Sequence, residues 1–177
     1  MNVPEVQVQF MKRADGNVVL RCTRRDGSVT WQRYDKHALF FSLHDLRHFA
    51  VETTLGLRDG FYSLIASGWD ITDTTGKGAL GKPPVAAGLV EHVVGLLDRE
   101  QSGGAAPMTA AEFNAQLDTV LGVDPGRPRF TDAQLTEVRN RIDELHNQWF
   151  GLSPGTTLDL AFNRIDQDVD STGGKCG

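Results

Sequence analysis

The chain has 177 residues, 40% of them apolar and 23% charged, with a formal net charge of −5. A length of this order suits one domain, able to bury a core without disulfides or structural metals as staples. The acidic balance excludes a dedicated nucleic-acid binder, which carries a basic footprint, and no apolar run reaches the roughly 18 residues needed to span a bilayer.

Residues 3 to 34 read as a three-stranded meander. Val6, Val8 and Phe10 alternate with Gln7, Gln9 and Met11, a period of two. Asp15-Gly16 and Asp26-Gly27 supply hairpin turns. The second strand sets Val18, Leu20 and Cys22 on one face, and the third carries Val29 and Trp31. Basic residues near these turns, Lys12-Arg13 and Arg21 to Arg25, are interleaved with Asp15 and Asp26 and read as solvated hairpin faces. One apolar face on such a sheet demands a cover.

The chain then turns helical. Ser42 is the expected N-cap of a helix running to about Leu55, with Asp45 at its third position as a shortened capping box and Gly56 as its end. A short helix over Phe61 to Ala66 should close at Gly68. Trp69 to Pro84 reads as a loop, Pro84 can open a helix over Val85 to Arg99, and Gln101 to Pro107 reads as a linker. Thr109 with Glu112 and Thr131 with Gln134 are capping boxes, stapled by Met108/Phe113 and Phe130/Leu135. The last helix has an apolar stripe of Leu135, Val138, Ile142, Leu145 and Trp149. After Ser153-Pro154-Gly155, alternation at Leu158, Leu160 and Phe162 predicts a strand that joins the N-terminal sheet. The expected fold is one α+β domain over residues 1–163. It consists of an antiparallel sheet of about four strands, the meander plus the C-terminal strand, packed on about five helices. Residues 164–177 are expected to form a flexible polar tail.

Chemistry concentrates in Ser42 to Glu52. His44, His48 and Glu52 recur every four residues, and each step of four rotates a helix position by only about 40°. Val51 and Leu55 lie within about 20° of His44, and Phe41 within about 20° of His48, so the imidazoles share an apolar stripe. Buried imidazoles need partners for both ring nitrogens. A divalent ion, zinc above all, would satisfy one nitrogen of each. Glu52 is the first candidate for a third metal ligand and His92, beside Glu91, the second. Asp45 is the candidate catalytic residue, as a general base or as a carboxylate that orients a ligand. The opposing interpretation gives each histidine an ordinary carbonyl or carboxylate partner in a packed core, and gives Asp45 a capping role. His37 and His146 read as surface residues.

The string His44-Asp45-Leu46-Arg47-His48 resembles the zincin motif HExxH, with Asp45, one methylene shorter, in the place of the catalytic Glu. It also resembles the metal-ligand motif of a ubiquinone-biosynthesis protein family, whose further glutamate falls where Gly60 stands here. Gly76 to Lys82 fits the spacing of a phosphate loop, but Pro83 replaces its Ser or Thr, so the loop from Trp69 to Lys82 is expected instead to shape access to a site. Asp166, Asp168 and Asp170 resemble a calcium loop that lacks its Gly and final Glu, and read as a solvated acidic tail. Cys22 and Cys176 form neither a disulfide framework nor a zinc ribbon, and the first five residues lack the features of a signal peptide. A soluble cytoplasmic protein follows as the expectation. Function then divides between a small metal-dependent, hydrolase-like enzyme acting on a small molecule and a non-enzymatic module, binding a protein or ligand, whose histidines are structural.

Overall fold

The computed structural model describes residues 3–76, 78–104 and 106–165. Its elements are β1 (Val6–Lys12), β2 (Val18–Arg24), β3 (Val29–Tyr34), α1 (Ala38–Leu55), α2 (Phe61–Ala66), α3 (Ile71–Thr74), α4 (Ala87–Gly103), α5 (Ala110–Leu121), α6 (Asp132–Gly151) and β4 (Thr157–Phe162). This is the expected α+β architecture, with the one-turn α3 added where a plain loop was read. The polar tail falls mostly outside the described residues: Asp166, Asp168, Asp170 and Cys176 lie there, as does Lys77 of the glycine-rich loop. Arg164, at the start of that tail, is bonded to Glu5 through both its amide and its guanidinium.

The sheet is antiparallel in the order β3-β2-β1-β4. Val8 pairs with Cys22 on one side and Leu160 on the other, so alternation in three strands brings one apolar face into register. Both Asp-Gly turns form as expected. Asp15 and Asp26 accept the amides two residues on, and Gly16 and Gly27 take φ of 82° and 86°, values that a Cβ disfavours. β3 differs from expectation. Val29 and Trp31 face solvent, while Thr30 and Tyr34 point inward. The hydroxyl of Thr30 accepts the amide of Ile71, so the inward position is held by a polar residue bonded to α3. Apolarity alone therefore assigns the wrong face to this edge strand.

α1 crosses the apolar face and is buried on nearly all sides, with Leu46, Phe49, Ala50 and Val51 within the core. It packs against α6 and α4. The α6 stripe is buried as expected, and Trp149 meets Phe10 edge-on at 6.2 Å. Both capping boxes close: Thr109 with Glu112 opens α5, and Thr131 with Gln134 opens α6. Asn114 of α5 bonds both the amide and the carbonyl of Phe130, which ties α5 to the segment that leads into α6.

α1 starts earlier than its expected cap at Ser42. The helix begins four residues before the expected cap, at Ala38, with His37 at a left-handed φ of 55° and no side-chain cap. Ser42 lies inside the helix, where its hydroxyl donates to the Ala38 carbonyl, a back-bond that removes it from capping. α4 starts at Ala87, three residues after Pro84, its expected first position, and runs on to Gly103 through part of the expected linker. No helix of the described residues is long and apolar enough to cross a membrane.

Candidate metal centre

α1 and α4 run side by side, and between them lies a half-open cleft of about 440 Å³, closed by β3, α2 and the segment around α3. His44, Asp45 and His48 reach it from α1, Glu91 from α4. Each of His44, His48 and Glu91 offers a ligand atom, and the three atoms lie within 4.8 Å of one another. Such a group could hold a metal ion, with two imidazole nitrogens and one carboxylate oxygen as donors. The histidine rings sit 4.8 Å apart at 72°, as their one-turn spacing on α1 requires. His48 Nε2 lies 3.4 Å from Glu91 Oε1, so Nε2 is the ring nitrogen turned toward the cluster.

The two histidines differ electrostatically. Burial, then the neighbouring His48 charge, pushes His44 down to about 4, so it stands neutral with a free lone pair near pH 7. Burial would lower His48 as well, but Glu52 and Glu91 outweigh it and hold the ring at about 9. Without an ion, His48 is therefore a buried imidazolium between two carboxylates. Its Nδ1 is the one buried side-chain nitrogen or oxygen without a hydrogen-bond partner among the described residues. Glu52 Oε1 lies 3.8 Å away, too far for a hydrogen bond, and acts on the ring only as a charge. The carboxyl of Glu91 is lowered, chiefly by its interaction with His48.

Glu52 is turned toward α2: its two carboxylate oxygens accept the amides of Tyr62 and Ser63 at 3.0 and 2.9 Å, capping α2. It stands behind His48, and Glu91 takes the third position of the cluster. His92, next to Glu91 in sequence, turns its Nδ1 to the Gly88 carbonyl at 2.6 Å and is not among the converging residues. Asp45 lines the same cleft and does not cap the helix; the Tyr34 hydroxyl donates to its Oδ2 at 2.6 Å. Burial raises the Asp45 carboxyl to about 7, against the pull of that hydrogen bond. His37 is exposed at the head of α1. His146 is half-buried, against expectation, because its Nε2 meets the Leu43 carbonyl of α1. Of the segment Trp69 to Lys82 expected to shape access, Ile71, Thr74 and Thr75 line the cleft, joined by Pro83 and Pro84 just beyond it, while no described residue of the glycine-rich stretch 76–82 does.

Glu91 and Tyr34 were not singled out by sequence. Glu91 lies four residues after Ala87 and three before Val94, two buried positions of α4, and an acid on an apolar stripe is the signal that marks it. No protein-family model, curated protein or solved structure matches the chain.

Proposed function

We propose that the chain is a small metal-dependent hydrolase with zinc held by His44, His48 and Glu91. One observation carries this reading: three side chains of ligating type, from two helices, converge within 4.8 Å where they line a cleft open to solvent. Two imidazoles and a carboxylate suit zinc, and three protein ligands leave a position for water, the mark of a catalytic rather than a structural site. A bound zinc ion brings its water near neutral acidity. Asp45, buried on the same cleft and held by the Tyr34 hydroxyl, is the carboxylate that would accept a proton from such a water. The walls are largely apolar, with Phe41, Phe61, Leu64 and Ile71 among them, and no Lys or Arg lines the cleft among the described residues. An uncharged ester or amide with an apolar body fits such walls better than a phosphate ester.

The test is metal analysis of protein purified without a histidine tag, followed by zinc titration calorimetry and assay against simple esters and amides. Stoichiometric zinc that is lost in a Glu91→Gln variant supports the reading. Absence of bound metal, with stability indifferent to chelators, would refute it.

The competing reading is a non-enzymatic binding module with structural histidines. It draws on the His48 imidazolium, which two carboxylates stabilise with no ion at all. That reading requires His44→Ala and His48→Ala to lower the melting temperature while metal content stays at zero.

A further inference from the structure

We propose that Glu52 is the positioning residue of this centre: it orients His48 through Nδ1 and couples that orientation to the seating of α2. The inference rests on the metal reading above. Its starting point is the orphaned Nδ1 of a residue only 2% exposed, because a buried N–H without a partner calls for a cause. Metal-bound histidines almost always donate their second N–H to a carboxylate or carbonyl, which fixes both tautomer and ring direction. Here Nε2 faces Glu91, so Nδ1 carries the proton toward Glu52, the nearest carboxylate behind it.

The distance of 3.8 Å exceeds a hydrogen bond by roughly 0.6–1 Å, which a small ring movement toward Glu52 closes. Glu52 Oε1 already accepts one amide, but a carboxylate oxygen accepts two donors. The carboxylate itself has little freedom. It is 2% exposed, holds two amides of α2, and fills the space over Gly60. A Cβ at Gly60 would lie 2.6 Å from Oε1 and closer still to Cδ, so glycine is required there for room, its φ of −83° being ordinary. The same α2 contributes Phe61 and Leu64 to the cleft wall, and the His48 ring lies 5.9 Å from that of Phe61. One carboxylate thereby joins the metal-facing ring to the wall that would meet substrate.

The experiment uses the full chain and zinc alone. In zinc-loaded wild-type protein, long-range ¹H–¹⁵N spectra of the imidazoles should show His48 protonated at Nδ1 and ligated at Nε2. In Glu52→Ala, zinc affinity measured against a competing chelator should fall about 10–100-fold, with the single His48 tautomer lost. A purely structural Glu52 would lower the melting temperature yet leave both zinc affinity and tautomer unchanged in the folded variant, and that result overturns the inference. Zinc found on Nδ1 in the wild type overturns it as well, without need of any variant, so a Glu52→Ala protein that fails to fold does not protect it. Wild-type protein that takes up no zinc removes the metal centre itself, an outcome distinct from either of these.

Discussion

Glu91→Gln separates a metal ligand from a structural ion pair, because the two roles predict different magnitudes. In the ion-free protein, Glu91 Oε1 sits 3.4 Å from His48 Nε2, but the Glu91 side chain is 59% exposed. Solvent screens such a pair, so losing its charge should cost about 1 kcal/mol or less, a fall of roughly 2–4 °C in melting temperature for a chain of this size. Bound zinc changes the scale. At about 1,000 times Kd, zinc adds about 4 kcal/mol to the wild type, a rise of roughly 8–16 °C. Losing one of three ligands should weaken binding at least as much as losing an outer-shell partner, about 100-fold. The same zinc concentration then stands near 10 times the new Kd and adds only about 1.4 kcal/mol, or roughly 3–6 °C. Differential scanning calorimetry with and without zinc, on both proteins, gives all four numbers. A Glu91→Gln protein stabilised by zinc as strongly as the wild type would show that Glu91 is no ligand. Equal melting temperatures for the wild type with and without zinc would defeat the whole construction.

The metal-free protein should also lose stability as pH rises from 6.5 to 9. His48 has its folded value raised from 6.5 to about 9, so its contribution is complete below pH 6.5 and gone above 9. The loss is on the order of 1–3 kcal/mol once the exposure of Glu91 is allowed for, and chemical denaturation with a chelator present measures it; a flat profile over that window contradicts a buried imidazolium. Tyr34→Phe removes the hydroxyl that donates to buried Asp45, which should cost about 1–3 kcal/mol and raise the Asp45 carboxyl further, readable by ¹³C titration. Gly60→Ala should destabilise by roughly 1–3 kcal/mol and weaken zinc binding without touching the cleft, since the added carbon displaces Glu52. Cys22 is wholly buried, and burial followed by the Asp45 charge pushes its thiol up to about 12. Peptide mapping after brief alkylation should find it unmodified in native protein and modified in denaturant.

What the sequence made legible follows from the range of each signal. Capping boxes, Asp-Gly turns and the α6 stripe act within four residues or repeat along one element, and they formed where the pattern put them. The convergence of His44 and His48 is of the same kind, since helical geometry alone sets two rings one turn apart on one side. The start of α1 escaped because Ser42 has two competing uses for its hydroxyl, and burial decided for the back-bond to Ala38. Glu91 escaped for a different reason. It stands 43 positions after His48 on another helix, and no periodicity within α1 reports which residue of α4 faces it. Spacing set Glu52 beside His48, where it was expected as a third ligand, but could not tell an acid in front of the ring from an acid behind it. That distinction depends on the two α2 amides, which lie ten and eleven residues downstream and draw the carboxylate away from the cleft. Helical spacing thus finds the ring, and only tertiary packing decides which acid meets which nitrogen.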